Sequence, residues 1–286
     1  METLATMTET NADQIEYWGG IAGEKWVWGQ DMLDKMLAPF GRAAMDAAGV
    51  AMGERVVDVG CGCGATTLEL ADRVSLLGSV LGIDVSGPML RRASELAGSA
   101  GTTNVSFAMA DASTYRFEPE TADLVFSRFG VMFFRNPVEA FANMRRALRP
   151  EGRLAFVCWR ALERNTWVKV PRDAVLKHVP APEPAAPDEP GPFAFADAER
   201  VTGILREAGF RGIVMEPHEV KVRNQGSLDE IVTFVTELGP SSRLLADVEG
   251  AAREAAIAEL RNALRSHHDG EAIHMDAATW IVTAKP

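Results

Sequence analysis

Three glycines at alternate positions, Gly60, Gly62 and Gly64, follow an aspartate, Asp58, and two small thiols, Cys61 and Cys63, fill the gaps. Without Cβ atoms such a loop turns tightly and lets its backbone press against a ligand. A dinucleotide would lay a doubly negative pyrophosphate on it, and the carboxylate at position 58 would repel that group. A nucleoside carrying an ammonium and a sulfonium, with no phosphate, would be attracted instead. Two further carboxylates follow. Asp84 lies about 20 residues beyond the glycines, where an acidic side chain is placed to accept both hydroxyls of a ribose. Asp111 comes after the next apolar run. On spacing alone it reads as a loop carboxylate.

These groups need a scaffold that brings them to one edge. Residues 55–59 hold three valines in five positions and read as a short buried strand. The segment from Ala65 reads as a helix, so its first amide N–H groups point back at the glycine loop. Residues 79–85 form a second strand ending near Asp84, and Ser86 with Pro88 opens the next helix, which carries Met89 towards the base of a nucleoside. Residues 104–110, 122–127 and 153–159 supply three more strands. Between the last two lies a helix at 136–148, with Val138, Phe141, Met144 and Ala147 on one face. Strands alternating with helices imply an α/β chain with a mostly parallel sheet.

The stretch from Arg55 to Gly64 resembles motif I of the class I S-adenosylmethionine-dependent methyltransferases, a hydrophobic pair, an acid and three spaced glycines. The run from Ala122 to Trp159 is similar to the branch grouped with the ubiquinone/menaquinone biosynthetic enzymes, and the likeness covers roughly residues 13–160 and the final strand. The resemblance implies a doubly wound seven-stranded sheet whose last strand is antiparallel and inserted between strands five and six. It implies S-adenosylmethionine as cofactor, S-adenosylhomocysteine as its product, and in-line displacement at the methyl carbon onto a small-molecule acceptor. The cofactor residues it implies are Asp58, Gly60, Cys61, Gly62, Gly64, Asp84, Val85, Met89, Asp111, Ala112 and Ser127. Asp111 would accept from the adenine amino group, and Ala112 would donate its backbone N–H. The turn after Ser127 would sit under the transferred methyl. It lacks both the Asn/Asp-Pro-Pro-Tyr pattern of amino-methylating DNA enzymes and the Pro-Cys nucleophile of cytosine enzymes.

The remaining segments divide the chain further. Residues 1–12 read as a disordered tail, and 13–50 as an N-terminal helical segment with Pro39 dividing two helices. Trp18, Trp26 and Trp28 fall there, either anchoring that segment or, with Tyr17, closing over the site as a lid. The core is expected over residues 51–160, 197–222 and 275–286. Residues 161–196 form a proline-rich insertion, read as a loop that would be a pocket wall if ordered and a linker if not. Residues 223–274 form a helical cap, with helices at 227–238 and 241–266. Tyr17, Trp18, Trp26, Phe129, Met132 and Trp159 are the candidates for an acceptor pocket; Phe129 and Met132 would serve equally as core.

Composition narrows the partners. A net charge of −11 over 286 residues disfavours a broad phosphate-binding surface, so nucleic acid is not expected as substrate. Three cysteines without zinc-ligand spacing suit reduced, buried side chains and a cytoplasmic location, and no metal is expected. The first residues lack a signal-peptide pattern, and no apolar run is long enough to span a membrane. None of the five histidines lies in a recognisable motif, so no general base is assigned. The oligomeric state is left open between a single copy and a homodimer. Two other functions share this sheet: an NAD(P)-dependent oxidoreductase, which Asp58 and an antiparallel last strand oppose, and a catalytically silent S-adenosylmethionine-binding module acting through its cap.

Overall fold

The computed structural model describes residues 11–183, 186 and 189–286. Residues 1–10 of the expected tail and four positions of the proline-rich insertion lie outside the described residues. The chain opens with helices α1 (Ala12–Gly19), α2 (Ile21–Trp28) and α3 (Gln30–Ala48). It continues through β1 (Arg55–Val59), α4 (Ala65–Val74), β2 (Ser79–Asp84), α5 (Gly87–Ala100), β3 (Val105–Met109), β4 (Ala122–Arg128), α6 (Pro137–Ala147) and β5 (Leu148–Trp159). Then come α7 (Thr166–Val175), α8 (Ala198–Glu207), β6 (Arg211–Gln225), α9 (Leu228–Glu237), α10 (Pro240–Leu244), α11 (Gly250–Arg265) and β7 (Ala272–Lys285).

The seven strands form one sheet in the order β3-β2-β1-β4-β5-β7-β6. The pairs from β3 across to β5 are parallel, and β7 runs antiparallel to both of its neighbours, β5 and β6. The order reverses between β1 and β4, so a crevice opens at the carboxyl ends of these strands, where ligands bind in open α/β sheets. Val56, Val57, Leu124, Val125, Leu154 and Phe156 are all buried at its centre. Near-continuous apolar strands of this kind belong to a sheet covered on both faces.

Three expectations change. Helix α3 runs straight through Pro39. Leu33, Met36, Leu37, Phe40, Ala44, Met45 and Ala48 are buried along one stripe of it, and that burial outweighs the ~3 kcal/mol penalty of an interior proline. The insertion is not all loop, because α7 lies within it. Val168, Pro171, Ala174 and Val175 make its buried face, and a proline in the middle of that pattern hides the helical period. The expected helix over residues 241–266 is two helices, α10 and α11, separated by residues 245–249. Together α7, α9, α10 and α11 enclose a second small core, in which Val175, Ile231, Leu245, Leu260 and Leu264 meet Ile273 and Met275 of β7. The cap therefore has its own hydrophobic support, seated on the sheet's last strand.

Candidate functional site

A cavity of about 620 Å³ opens at the carboxyl ends of the strands. Its first half is the glycine loop. Gly60 and Cys61 donate backbone N–H groups to the Ile83 carbonyl at 2.8 and 3.2 Å, which ties the loop to the end of β2. Gly60 has φ +69°, and a Cβ there would lie 2.7 Å from the Cα of Gly130. Gly130 is equally constrained, since its own Cβ would lie 2.8 Å from the Cα of Gly60. Two backbones thus touch where β1 and β4 end. Ser127 holds that contact together: its Oγ donates to the Val59 carbonyl at 2.7 Å and accepts from Gly130 N at 3.1 Å.

The acidic residues divide into two kinds. Asp84 lines the cavity and is 8 % exposed. Its Oδ2 accepts from Gly62 N and its Oδ1 from Ser86 N, both at 2.8 Å. Burial pushes this carboxyl up, and the backbone N–H groups of Ser86, Gly62 and Val85 pull it back. Asp111, one strand further along, also lines the cavity. Its Oδ1 accepts from Ser113 N at 2.8 Å and from Asn11 Nδ2 at 3.1 Å. Asp58 behaves differently. It is fully buried and does not line the cavity; its Oδ2 accepts from the hydroxyls of Thr66 and Thr67 at 2.7 Å each. Burial raises it to about 6 against those two hydrogen bonds, and its Oδ1 has no partner. Strand alternation turns this side chain towards the start of α4 and leaves the backbone beyond it to face the cavity.

The other expected cofactor positions sort the same way. Gly60, Gly62, Val85, Met89 and Ala112 line the cavity. Cys61, Gly64 and Ser127 do not line it; Cys61 and Ser127 are buried behind the wall, and a Cβ at Gly64 would meet Ala93 of α5 at 2.9 Å. Cys63 is the thiol that reaches the wall, and burial pushes it up to about 12.

The second half of the cavity is apolar. All six acceptor-pocket candidates, Tyr17, Trp18, Trp26, Phe129, Met132 and Trp159, line the cavity, and Trp26 stands beside the glycine loop, its Nε1 3.9 Å from where a Cβ at Gly62 would lie. Phe129 sits at φ +63°, an uncommon conformation for a bulky residue, with its ring stacked on Trp159 at 4.1 Å and 8°. Trp18 makes edge contacts to Trp26 and Phe133 at 5.6 and 5.4 Å. The insertion and cap complete the wall through Trp167, Phe193, Phe234 and Leu238. The N-terminal helices meet the helices after β6: Arg243 Nε donates to Tyr17 Oη at 2.9 Å, and Lys25 pairs with Glu237 at 2.9 Å. None of the five histidines lines the cavity.

Sequence reasoning missed several wall residues. Arg128, held to Asp34 at 3.3 Å, follows directly on Ser127 and could have been read from its place at a strand end. Leu33, Met36 and Leu37 of α3 were legible only as core. Asn11 falls in the segment expected to be a disordered tail, and no periodicity marks it.

A methyltransferase domain model matches residues 56–152. Aklanonic acid methyltransferase DauC of Streptomyces sp. (strain C5) is 36 % identical over 122 residues, 43 % of this chain and 56 % of that protein. Nocamycin O-methyltransferase of Saccharothrix syringae is 30 % identical over 258 residues, 86 % of this chain and 90 % of that protein. The chain belongs to the class I S-adenosylmethionine-dependent methyltransferases. The first of these relatives is matched over little more than half its length, the second almost throughout. Phosphoethanolamine N-methyltransferase 2 of Haemonchus contortus, solved with phosphomonomethylethanolamine and S-adenosylhomocysteine, shares the fold, with a TM-score of 0.53 and 20 % identity over 87 % of this chain and 52 % of that one. As a methyltransferase of this class, the protein uses S-adenosylmethionine, and its residues fit that cofactor. Backbone at Gly60 and Gly62 offers close approach, while Asp84 and Asp111 present carboxylate acceptors to the cavity.

Proposed function

We propose that this methyltransferase acts on a predominantly apolar small molecule, which lies in the aromatic half of the cavity while the cofactor lies along the strand ends. One observation carries the reading: a single cavity joins a polar wall with two carboxylates, Asp84 and Asp111, to a wall of Phe129, Met132, Trp159 and Trp167. S-adenosylmethionine supplies a methyl group already activated by a positive sulfur. The chain's own residues bind, orient and exclude water. Asp84 would accept from the ribose hydroxyls, and Asp111, two residues beyond Met109, the register partner of Asp84, would accept from the base. An acceptor-only group at that place favours a base edge carrying an amino donor. Alignment in a dry cavity can supply on the order of 7–11 kcal/mol of the barrier.

The relatives are named for aklanonic acid and nocamycin, which makes such compounds the first acceptors to try. Nucleic acid is disfavoured by the net charge of −11, and a cytoplasmic location is supported by three free, buried thiols. Among the described residues no helix is long and apolar enough to cross a membrane. The test is titration of the protein with S-adenosylmethionine and with NADH, followed by turnover with radiolabelled methyl donor and a panel of apolar acceptors. Binding of S-adenosylmethionine that Asp84→Ala abolishes, with label passing to an apolar acceptor, is expected. Affinity for NADH alone, or label passing only to polar acceptors, would overturn the proposal.

A further inference from the structure

We infer that Asn11 is a positioning residue for recognition of the cofactor's base, acting through Asp111. This rests on the cofactor arrangement proposed above. Asn11 is 7 % exposed and lines the cavity. Its side chain makes two long-range hydrogen bonds: Nδ2 donates to Asp111 Oδ1 at 3.1 Å, and Oδ1 accepts from Arg135 N at 2.7 Å. The amide is thereby fixed in orientation, since only its nitrogen can face a carboxylate and only its oxygen a backbone N–H. Asp111 Oδ1 is in turn held from two sides, by Asn11 and by Ser113 N. With Oδ1 occupied, Oδ2 is the oxygen left for a ligand. No other side chain makes a hydrogen bond to this carboxylate among the described residues.

Asn11 therefore does two things at once. It sets which oxygen of Asp111 addresses the base, and it bolts the chain entering α1 across the base end of the cavity, between β3 and the turn after β4. An amino group at position 6 of the purine donates to Asp111 Oδ2. A carbonyl there would set oxygen against oxygen. Discrimination between the two depends on Asp111 being unable to turn away, and Asn11 is the side chain that prevents it.

The test compares S-adenosylhomocysteine with S-inosylhomocysteine, in which a carbonyl replaces that amino group and N1 changes from acceptor to donor, by calorimetric titration of the full chain. The wild type should prefer the adenine compound by at least roughly tenfold. Asn11→Ala removes both contacts. Asn11→Asp keeps an acceptor for Arg135 N and replaces the donor to Asp111 by a like charge. Both should weaken S-adenosylhomocysteine and cut the preference by about tenfold; the lost hydrogen bonds also lower the melting temperature, a readout that does not separate the two compounds. A residue that merely holds the segment in place would weaken both compounds alike. An unchanged preference in Asn11→Asp, or a loss shared equally by the two ligands, overturns the inference while leaving the cofactor assignment standing. A wild type that binds neither compound overturns both.

Discussion

Asp58→Asn isolates a carboxyl that the fold buries completely under the glycine loop. The carboxyl titrates near 3.8 when unfolded and is pushed up to about 6 when folded, chiefly by desolvation. Between those values the folded chain holds more protons than the unfolded one, so stability falls as pH rises from 4 to 6 and stays lower above. At about 1.4 kcal/mol per pH unit, the charged form costs the fold roughly 3 kcal/mol at pH 8. At pH 5 the same relation gives roughly 1.6 kcal/mol. Asparagine keeps an oxygen for Thr66 and Thr67, which donate to Asp58 Oδ2 at 2.7 Å, and it cannot ionise. Relative to wild type, the variant should therefore gain about 1.4 kcal/mol between pH 5 and pH 8. Urea denaturation of both proteins at the two pH values measures this directly. A difference that does not change with pH, or that shrinks as pH rises, would refute the burial argument.

Gly60→Ala should destabilise the protein by about 2–4 kcal/mol and weaken S-adenosylmethionine at least tenfold, because the new methyl meets Gly130 Cα at a left-handed backbone position; thermal melts and calorimetry check both. Arg153 pairs through both terminal nitrogens with Glu54, at 2.8 and 2.9 Å, and its Nε donates to the Ala48 carbonyl. Arg153→Met should cost roughly 3 kcal/mol by stranding those acceptors, and denaturant midpoints that match wild type would contradict it. All three thiols are buried and pushed up by desolvation. Native protein at pH 8 should therefore leave a chromogenic disulfide reagent unreacted for many minutes and release three equivalents once unfolded; prompt reaction of a native thiol would count against this burial.

What the sequence made legible is the periodic part. Valine-rich strands, three spaced glycines and carboxylates at strand ends are local signals, and the sheet brings Gly60, Asp84 and Asp111 to one edge. Residues whose role depends on direction or distance were less accessible. Asp58 faces away from the cavity towards Thr66 and Thr67, and the glycine spacing does not show which face of the strand the ligand takes. Helix α3 survives Pro39 because its buried stripe is long, and that stripe's partners, among them β5, β6 and β7, lie more than a hundred residues away. Asn11 bonds to residues 100 and 124 positions further on. No window of sequence contains both ends of such a bond.

The contact between Gly60 and Gly130 has a consequence for how this chain could diversify. The donor's cradle and the turn below the acceptor share one seam, with a Cβ on either side sitting within 2.8 Å of the other strand's backbone. Any substitution that enlarges or tilts the floor at that seam also disturbs the cradle. New acceptor preferences should therefore accumulate in α7 and α9, whose small separate core can be rebuilt without touching the seam.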